Sequence, residues 1–293
     1  MKKVLKLLGI FIGAIVAIFL IALGVIYYLS NQDLNATHDI DPVALEIPQP
    51  DSAMLALGEH LANVRACTAC HGANLGGEVM IDNFAMGTIA ASNLTSGEGG
   101  IADTYTDEDW VRAVRHAVAP DGRPLKIMPS QEFIHLGRQD LAALIAYVKQ
   151  VPPVDWTAPE ARVGPMARAL YVLTPGFPLL EHSKIDNTIP LKDAPVPEVS
   201  VKYGEYMAVS CYGCHGSDLA GAAAGPPGTP PSSNLTKLQS WNEEQFIRAV
   251  REGIRPTGDT LHAFMPRWTA ATDTEVGAVY AYLRSLEPIE KEQ

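Results

Sequence analysis

Cys67-Thr-Ala-Cys70-His71 and Cys211-Tyr-Gly-Cys214-His215 are two copies of one pentapeptide, and together they use all 4 cysteines of the 293-residue chain. In the C-x-x-C-H pattern the two sulfurs are spaced to form thioethers with porphyrin vinyl groups, and the histidine that follows reaches the iron as proximal ligand. The pattern predicts two covalently attached haem c groups, held by Cys67, Cys70, Cys211 and Cys214, with His71 and His215 on the irons. Two other chemistries use C-x-x-C. A dithiol redox pair needs a βαβ setting that is absent here. A zinc site pooling all four cysteines leaves both histidines, and the residues that recur downstream, without a purpose.

What fills the sixth position of each iron separates electron transfer from ligand or oxygen chemistry. Met128-Pro129 follows the first pentapeptide and Met265-Pro266 the second. A thioether at that place gives His/Met ligation, which raises the reduction potential and closes the iron, and the proline stiffens the loop that presents the sulfur. Met86 is a rival in a glycine-containing loop before Ser92, but the corresponding stretch of the second copy, 225–232, has no methionine. His60, His116, His135 and His262 are also possible ligands, yet none has a histidine counterpart; position 60 pairs with Tyr206 and position 116 with Glu252. Met128 and Met265 are the expected axial ligands, and no residue is assigned a catalytic role.

The pentapeptides belong to a longer repeat. Gly58-Glu59-His60-Leu61 and Gly204-Glu205-Tyr206-Met207 precede them; Ser92-Asn93-Leu94-Thr95 and Ser233-Asn234-Leu235-Thr236 follow, then Arg112-Ala113-Val114-Arg115 and Arg248-Ala249-Val250-Arg251. Each copy closes on helical periodicity, Leu141, Leu144, Ile145 and Val148 in one, Val276, Val279, Tyr280 and Leu283 in the other. Capping boxes are expected at Thr106 with Asp109, Ser240 with Glu243 and Thr272 with Glu275. No alternating hairpin pattern competes, so the expected class is mostly α with long loops. Trp110 and Phe246 are expected in the core. Arg115 and Arg251 suit haem propionates or, equally, a solvated helix face. The Asn-Leu-Thr segments match a glycosylation pattern, but their repetition points to a shared turn near each haem.

The N-terminal end has a different composition. Residues 7–29 are an unbroken run of apolar, Gly or Tyr residues, about 35 Å long as a helix, against a bilayer core of about 30 Å. A cleavable signal has a shorter apolar region and an A-x-A-like site, and none follows Leu29, so an uncleaved anchor is expected. Lys2, Lys3 and Lys6 precede the run and Asp33, Asp39 and Asp41 follow it, which by the positive-inside bias exports the rest of the chain. Haem attachment in bacteria occurs on that side, giving a single-pass protein of the inner membrane facing the periplasm. The formal net charge of −11 disfavours nucleic acid and favours basic partner surfaces, or simply maintains solubility. The expected organisation is anchor 1–30, tether 31–50, first haem domain 51–152, proline-rich connector 153–200 with a short helical possibility at 166–173, and second haem domain 201–288.

From Gly58 to Leu286 these motifs closely resemble the membrane-anchored dihaem members of the class I cytochrome c family. The chain is similar in particular to cytochrome subunits of periplasmic alcohol, gluconate and aldehyde dehydrogenases, which commonly carry three such domains where this chain has two. The resemblance implies a single-electron carrier between a periplasmic donor, such as a dehydrogenase, and a respiratory acceptor, an oxidase or another cytochrome. Two alternatives are a dihaem peroxidase-like enzyme with one open iron and a subunit that docks a dehydrogenase to the membrane.

Overall fold

The computed structural model describes residues 2–224 and 230–291. Met1, at the head of the expected anchor, and 225–229, in the stretch compared with the Met86 loop, lie outside the described residues. A long helix α1 (Lys2–Leu34) leads into a first helical unit of α2 (Ser52–Val64), α3 (Cys67–His71), α4 (Asp107–His116), α5 (Ser130–Phe133) and α6 (Arg138–Val148). Helix α7 (Pro165–Leu173) lies in the connector. The second unit repeats the order as α8 (Val201–Ala208), α9 (Tyr212–His215), α10 (Glu243–Glu252) and α11 (Asp273–Ser285). The class is mostly α, as the periodicity implies.

In each unit the opening helix crosses the closing one, α2 on α6 and α8 on α11. A side chain at Gly58 would strike the Ala143 carbonyl and Tyr147, and one at Gly204 would strike the Ala278 carbonyl and Tyr282. The paired glycines of the repeat therefore permit backbone contact at the crossing, which a methyl group would overpack. Trp110 and Phe246 are buried, as expected. Capping boxes form at Thr106 with Asp109 and at Thr272 with Glu275. The third differs from expectation: α10 is capped by Asn242 with Gln245 rather than by Ser240 with Glu243. The helix starts later because the carbonyl of Trp241 is engaged by the Tyr280 hydroxyl at 2.8 Å.

The two units meet through reciprocal contacts of equivalent positions. His60 Nε2 lies 2.8 Å from Glu275 Oε1, and at the matching place the Tyr206 hydroxyl donates to Asp140 Oδ2 at 2.5 Å. The same hydroxyl accepts from the Gly137 amide at 3.0 Å. Gly137 is the N-cap of α6 and has no side chain to offer, whereas Thr272 caps α11, so one repeat borrows from the other the group its own cap lacks. Buried Arg65 adds bonds to Ser210 Oγ at 2.8 Å and stands over the Tyr206 ring, 5.0 Å from its centroid. Trp268 Nε1 donates to the Val64 carbonyl at 3.0 Å. One apolar cluster runs through both units.

A small sheet stands at 78–91, where the sequence predicts a loop within a mostly α chain. Strands β1 (Glu78–Asn83) and β2 (Gly87–Ala91) form an antiparallel hairpin, and β3 (Arg162–Val163) of the connector pairs with β2. β1 is largely exposed and carries little alternation; the burial lies on Gly87, Ile89 and Ala91 of β2. The strand signal was weak because the sheet depends on a distant segment of connector. That connector is extended with a short helix: Leu179 accepts from the Ile127 amide at 3.0 Å, and Leu34, Ile89, Val163, Ala167, Leu179 and Leu180 form a second apolar cluster where α1 ends.

The hydrogen bond to Glu275 raises the His60 pKa above 6.5. Burial pushes the Glu275 carboxyl up, but the bonds from His60 and Thr272 outweigh it and hold the group below 4.5. A raised imidazole value stabilises the fold below 6.5 and loses its effect as pH rises through the raised value; a lowered carboxyl value stabilises above 4.5. The pair thus acts most strongly between these values. His60→Gln is expected to lower the unfolding free energy most in that window, with the deficit shrinking as pH rises above neutrality, as measured by denaturant titration across pH.

Candidate functional site

Each C-x-x-C-H segment ends in a glycine that reverses the chain, Gly72 at φ +79° and Gly216 at φ +80°. The loop then folds back on the helix. Gly77 and Gly221 amides donate to the carbonyls of His71 and His215, at 2.8 and 2.9 Å. Leu75 and Leu219 adopt φ +57° and +56°, unusual for a branched side chain, and their carbonyls accept from Leu94 and Leu235 at 2.9 and 2.8 Å. This brings the Ser-Asn-Leu-Thr segment against the histidine. His71 Nδ1 donates to the Ser92 carbonyl at 2.8 Å, and His215 Nδ1 to the Ser233 carbonyl at 2.7 Å.

A carbonyl only accepts, so both Nδ1 atoms carry the proton and both Nε2 atoms keep a free lone pair. This is how protein surroundings set the tautomer and ring orientation of a metal-binding histidine. Burial lowers both imidazole pKa values against the opposing carbonyl bond, keeping the rings neutral. The turn itself is built by the asparagine. Asn93 Oδ1 accepts from the Thr95 amide and hydroxyl at 3.0 and 2.8 Å, and Asn234 Oδ1 from those of Thr236 at 2.9 and 2.6 Å. Each asparagine Nδ2 reaches a segment beyond the closing helix, Val154 in one unit and Ile289 in the other, at 2.6 and 2.8 Å.

Burial pushes the Cys67 and Cys211 thiols up to about 12, and Cys70 and Cys214 are also raised. A redox dithiol needs the opposite shift. Among the described residues no three His, Cys, Asp or Glu side chains group as a metal ion requires. Cys67, Met128, Cys211 and Met265 all pack against the main apolar cluster. Two thiols, a neutral imidazole with a free Nε2 and a thioether beside an apolar surface are the donor set that a covalent haem requires.

The methionine loops are fastened from outside. Buried Arg115 donates to the Ile134 carbonyl at 2.7 Å and the Ile189 carbonyl at 3.0 Å; Arg251 donates to the Ala271 carbonyl at 2.8 Å. Ile134 and Ala271 stand equally far past Met128 and Met265, so the repeated arginines have one shared task. Arg115, at 0% exposure, is not on a solvated helix face. The Nε atoms of both arginines are buried without a partner. Ile127, just before Met128, holds φ +61°, a strained value for a β-branched residue, supported by its bond to Leu179.

Among the rival ligands Met86 and His60 are engaged elsewhere, whereas the Nε2 of His116 is buried without a partner among the described residues. Met86 belongs to the second apolar cluster with Leu34 and Ile89. His60 is engaged by Glu275, His116 Nδ1 bonds Asn187 Oδ1 at 2.7 Å, His262 stacks on Phe264 and His135 is exposed. Residues flanking the two C-x-x-C-H segments are bonded to each other. Arg65, two residues before Cys67, bonds Ser210, the residue before Cys211. Glu132 of α5 approaches Gly213 within the second pentapeptide, and burial pushes its carboxyl up to about 7 against the pull of Arg65. The serine carbonyls and the arginine clamps escaped sequence reasoning as roles; repetition of Ser92 with Ser233, and of Arg115 with Arg251, was the signal.

A family model described as cytochrome c matches residues 55–152 and 203–287. The chain is 36% identical over 275 residues to the gluconate 2-dehydrogenase cytochrome c subunit of Pantoea cypripedii, covering 83% of this chain and 62% of that protein. It is 28% identical over 272 residues to the cytochrome c subunit of the quinone alcohol dehydrogenase of Gluconobacter oxydans (strain 621H), covering 82% and 56%. It is 25% identical over 277 residues to the fructose dehydrogenase cytochrome subunit of Gluconobacter japonicus, covering 82% and 54%. The chain thus spans little more than half the length of these relatives.

Arg115→Met and Arg251→Met keep the packing stem while leaving carbonyls unpaired. Each buried group left unsatisfied costs about 1–3 kcal/mol. Thermal unfolding of each variant should reveal that loss, with the larger effect for Arg115, which serves two carbonyls.

Proposed function

Because the chain belongs to the cytochrome c family, we propose that it is a membrane-anchored electron carrier holding two haem c groups, one in each matched region. Cys67, Cys70, His71 and Met128 would hold one group, and Cys211, Cys214, His215 and Met265 the other. Bound there, haem c supplies an iron that gains and loses one electron. The chain's own residues do the rest. Ser92 and Ser233 orient the histidines, the arginine clamps hold the methionine loops, and the apolar cluster excludes water, which tunes the potential together with Met ligation.

The observation that carries the relay is the 2.8 Å bond from Arg65 to Ser210, which links residues flanking the two attachment segments. Sites joined this closely favour electron exchange within one chain. The names of the relatives support a dehydrogenase as donor, and the net charge of −11 suits a partner with a basic surface. Helix α1 is long and apolar enough to cross a membrane, and none of that apolar window is buried against the protein. With Lys2, Lys3 and Lys6 before it, the haem domains face the periplasm from the inner membrane. A peroxidase-like enzyme would need one open iron, whereas both repeats carry a clamped Met-Pro.

The intact protein should exceed its polypeptide mass by two haems. Reduced wild type should bind negligible carbon monoxide, while Met128→Ala and Met265→Ala should each open one iron per chain to the gas and lower that haem's potential, as followed by optical titration. Carbon monoxide binding by the wild type at one haem per chain would reject the closed pair.

A further inference from the structure

Helix α7 and the β1–β2 hairpin form a unit fastened to the last turns of α1. Arg168 donates to Ser30 Oγ at 2.8 Å and Asn31 Oδ1 at 2.7 Å, and its guanidinium carbon lies 4.6 Å from the Tyr27 ring centroid. Tyr171 donates to Asp33 Oδ2 at 2.9 Å. The hairpin is joined to the same unit: Met166 donates its amide to the Ala85 carbonyl and Gly164 to that of Met86, both at 2.9 Å. All the bonds to α1 fall between Tyr27 and Asp33, a rise of about 9 Å that begins where the apolar run ends.

Ala167 packs into the second apolar cluster, but other apolar side chains of α7 are exposed. Met166, Leu170 and Leu173 recur at helical spacing on one stripe, with Met166 51% and Leu173 68% exposed, and Phe84 at the hairpin tip is 79% exposed. Apolar side chains left bare beside a polar, bonded face are the composition of a helix that lies in a membrane interface. Their level is set by α1. Any bilayer that α1 crosses ends within a turn or two of the residues to which α7 is bonded.

We propose that the stripe of α7 and the tip residue Phe84 insert into the headgroup–acyl boundary of the bilayer leaflet from which α1 emerges, giving the protein a second, in-plane membrane contact. The proposal rests on α1 spanning the bilayer. A lone helix followed by a tether leaves the domains free to swivel; two contacts fix the orientation of the first domain to the membrane plane. The occupant is lipid because the helix that carries the patch is bonded to α1 within two turns of where its exposed apolar run ends.

The test is photolabelling of the full haem-loaded chain in phosphatidylethanolamine–phosphatidylglycerol vesicles by a membrane-dissolved carbene precursor, mapped by peptide mass. Phe264, 64% exposed on the second domain, is the internal control. The expected result is label on α1, on the hairpin tip and on α7, above that on Phe264. Loss of label at those two segments alone is expected for the triple variant Phe84→Ser, Met166→Ser, Leu173→Ser. If α1 is labelled while Phe84 and α7 match Phe264, the in-plane contact is overturned and the anchor stands. If α1 itself is unlabelled, the anchor fails and the contact falls with it.

Discussion

The bond from a histidine Nδ1 to a serine carbonyl is the constraint around which each domain is organised. A histidine held only by its own chain would present either nitrogen and rotate freely; the carbonyl of Ser92 or Ser233 commits the ring to one tautomer and one direction. Positioning that carbonyl takes much of the domain. Glycines at φ near +80° return the chain, left-handed Leu75 and Leu219 receive the Asn-Leu-Thr segment, and Asn93 and Asn234 tie it to segments beyond the closing helices. The requirement therefore links residues from the opening of each unit to past its end.

The interface repeats this economy with a difference. Equivalent positions meet in both directions, yet His60 with Glu275 and Tyr206 with Asp140 are chemically unlike, and Arg65 has only Val209 opposite it in the repeat. Arg65 lies beside both attachment segments while the buried carboxyl of Glu132 approaches only the second, giving two structurally equal sites unequal electrostatic surroundings. Burying such groups is costly unless they are bonded, and here His60, Arg65, Asp140 and Glu275 all have bonded partners across the seam or within it.

Residues with chemistry fixed by spacing were legible in the sequence. The closing helices and two of three capping boxes follow from local pattern, because each is specified within a few residues; the pentapeptides and paired methionines stand out by the same locality and remain proposed ligands. What escaped depends on distant partners. The hairpin at 78–91 is held by Arg162–Val163, and the Asn242 cap depends on a bond made by Tyr280. Arg115 could be read as a propionate partner or a surface charge, and only the placement of Ile134 and Ile189 gives it a clamp's role. Comparison of the two repeats was the strongest sequence instrument, since shared residues marked roles that neither copy revealed alone.

The central claim is that both irons are closed by histidine on one side and methionine sulfur on the other. Iron K-edge X-ray absorption of the oxidised full chain tests it directly. The account predicts one sulfur scatterer on every iron, in a shell otherwise of nitrogen, with no oxygen ligand. A sulfur contribution of half that size, with a nitrogen or water in its place, would contradict it by showing that one of the two methionine loops does not reach its iron.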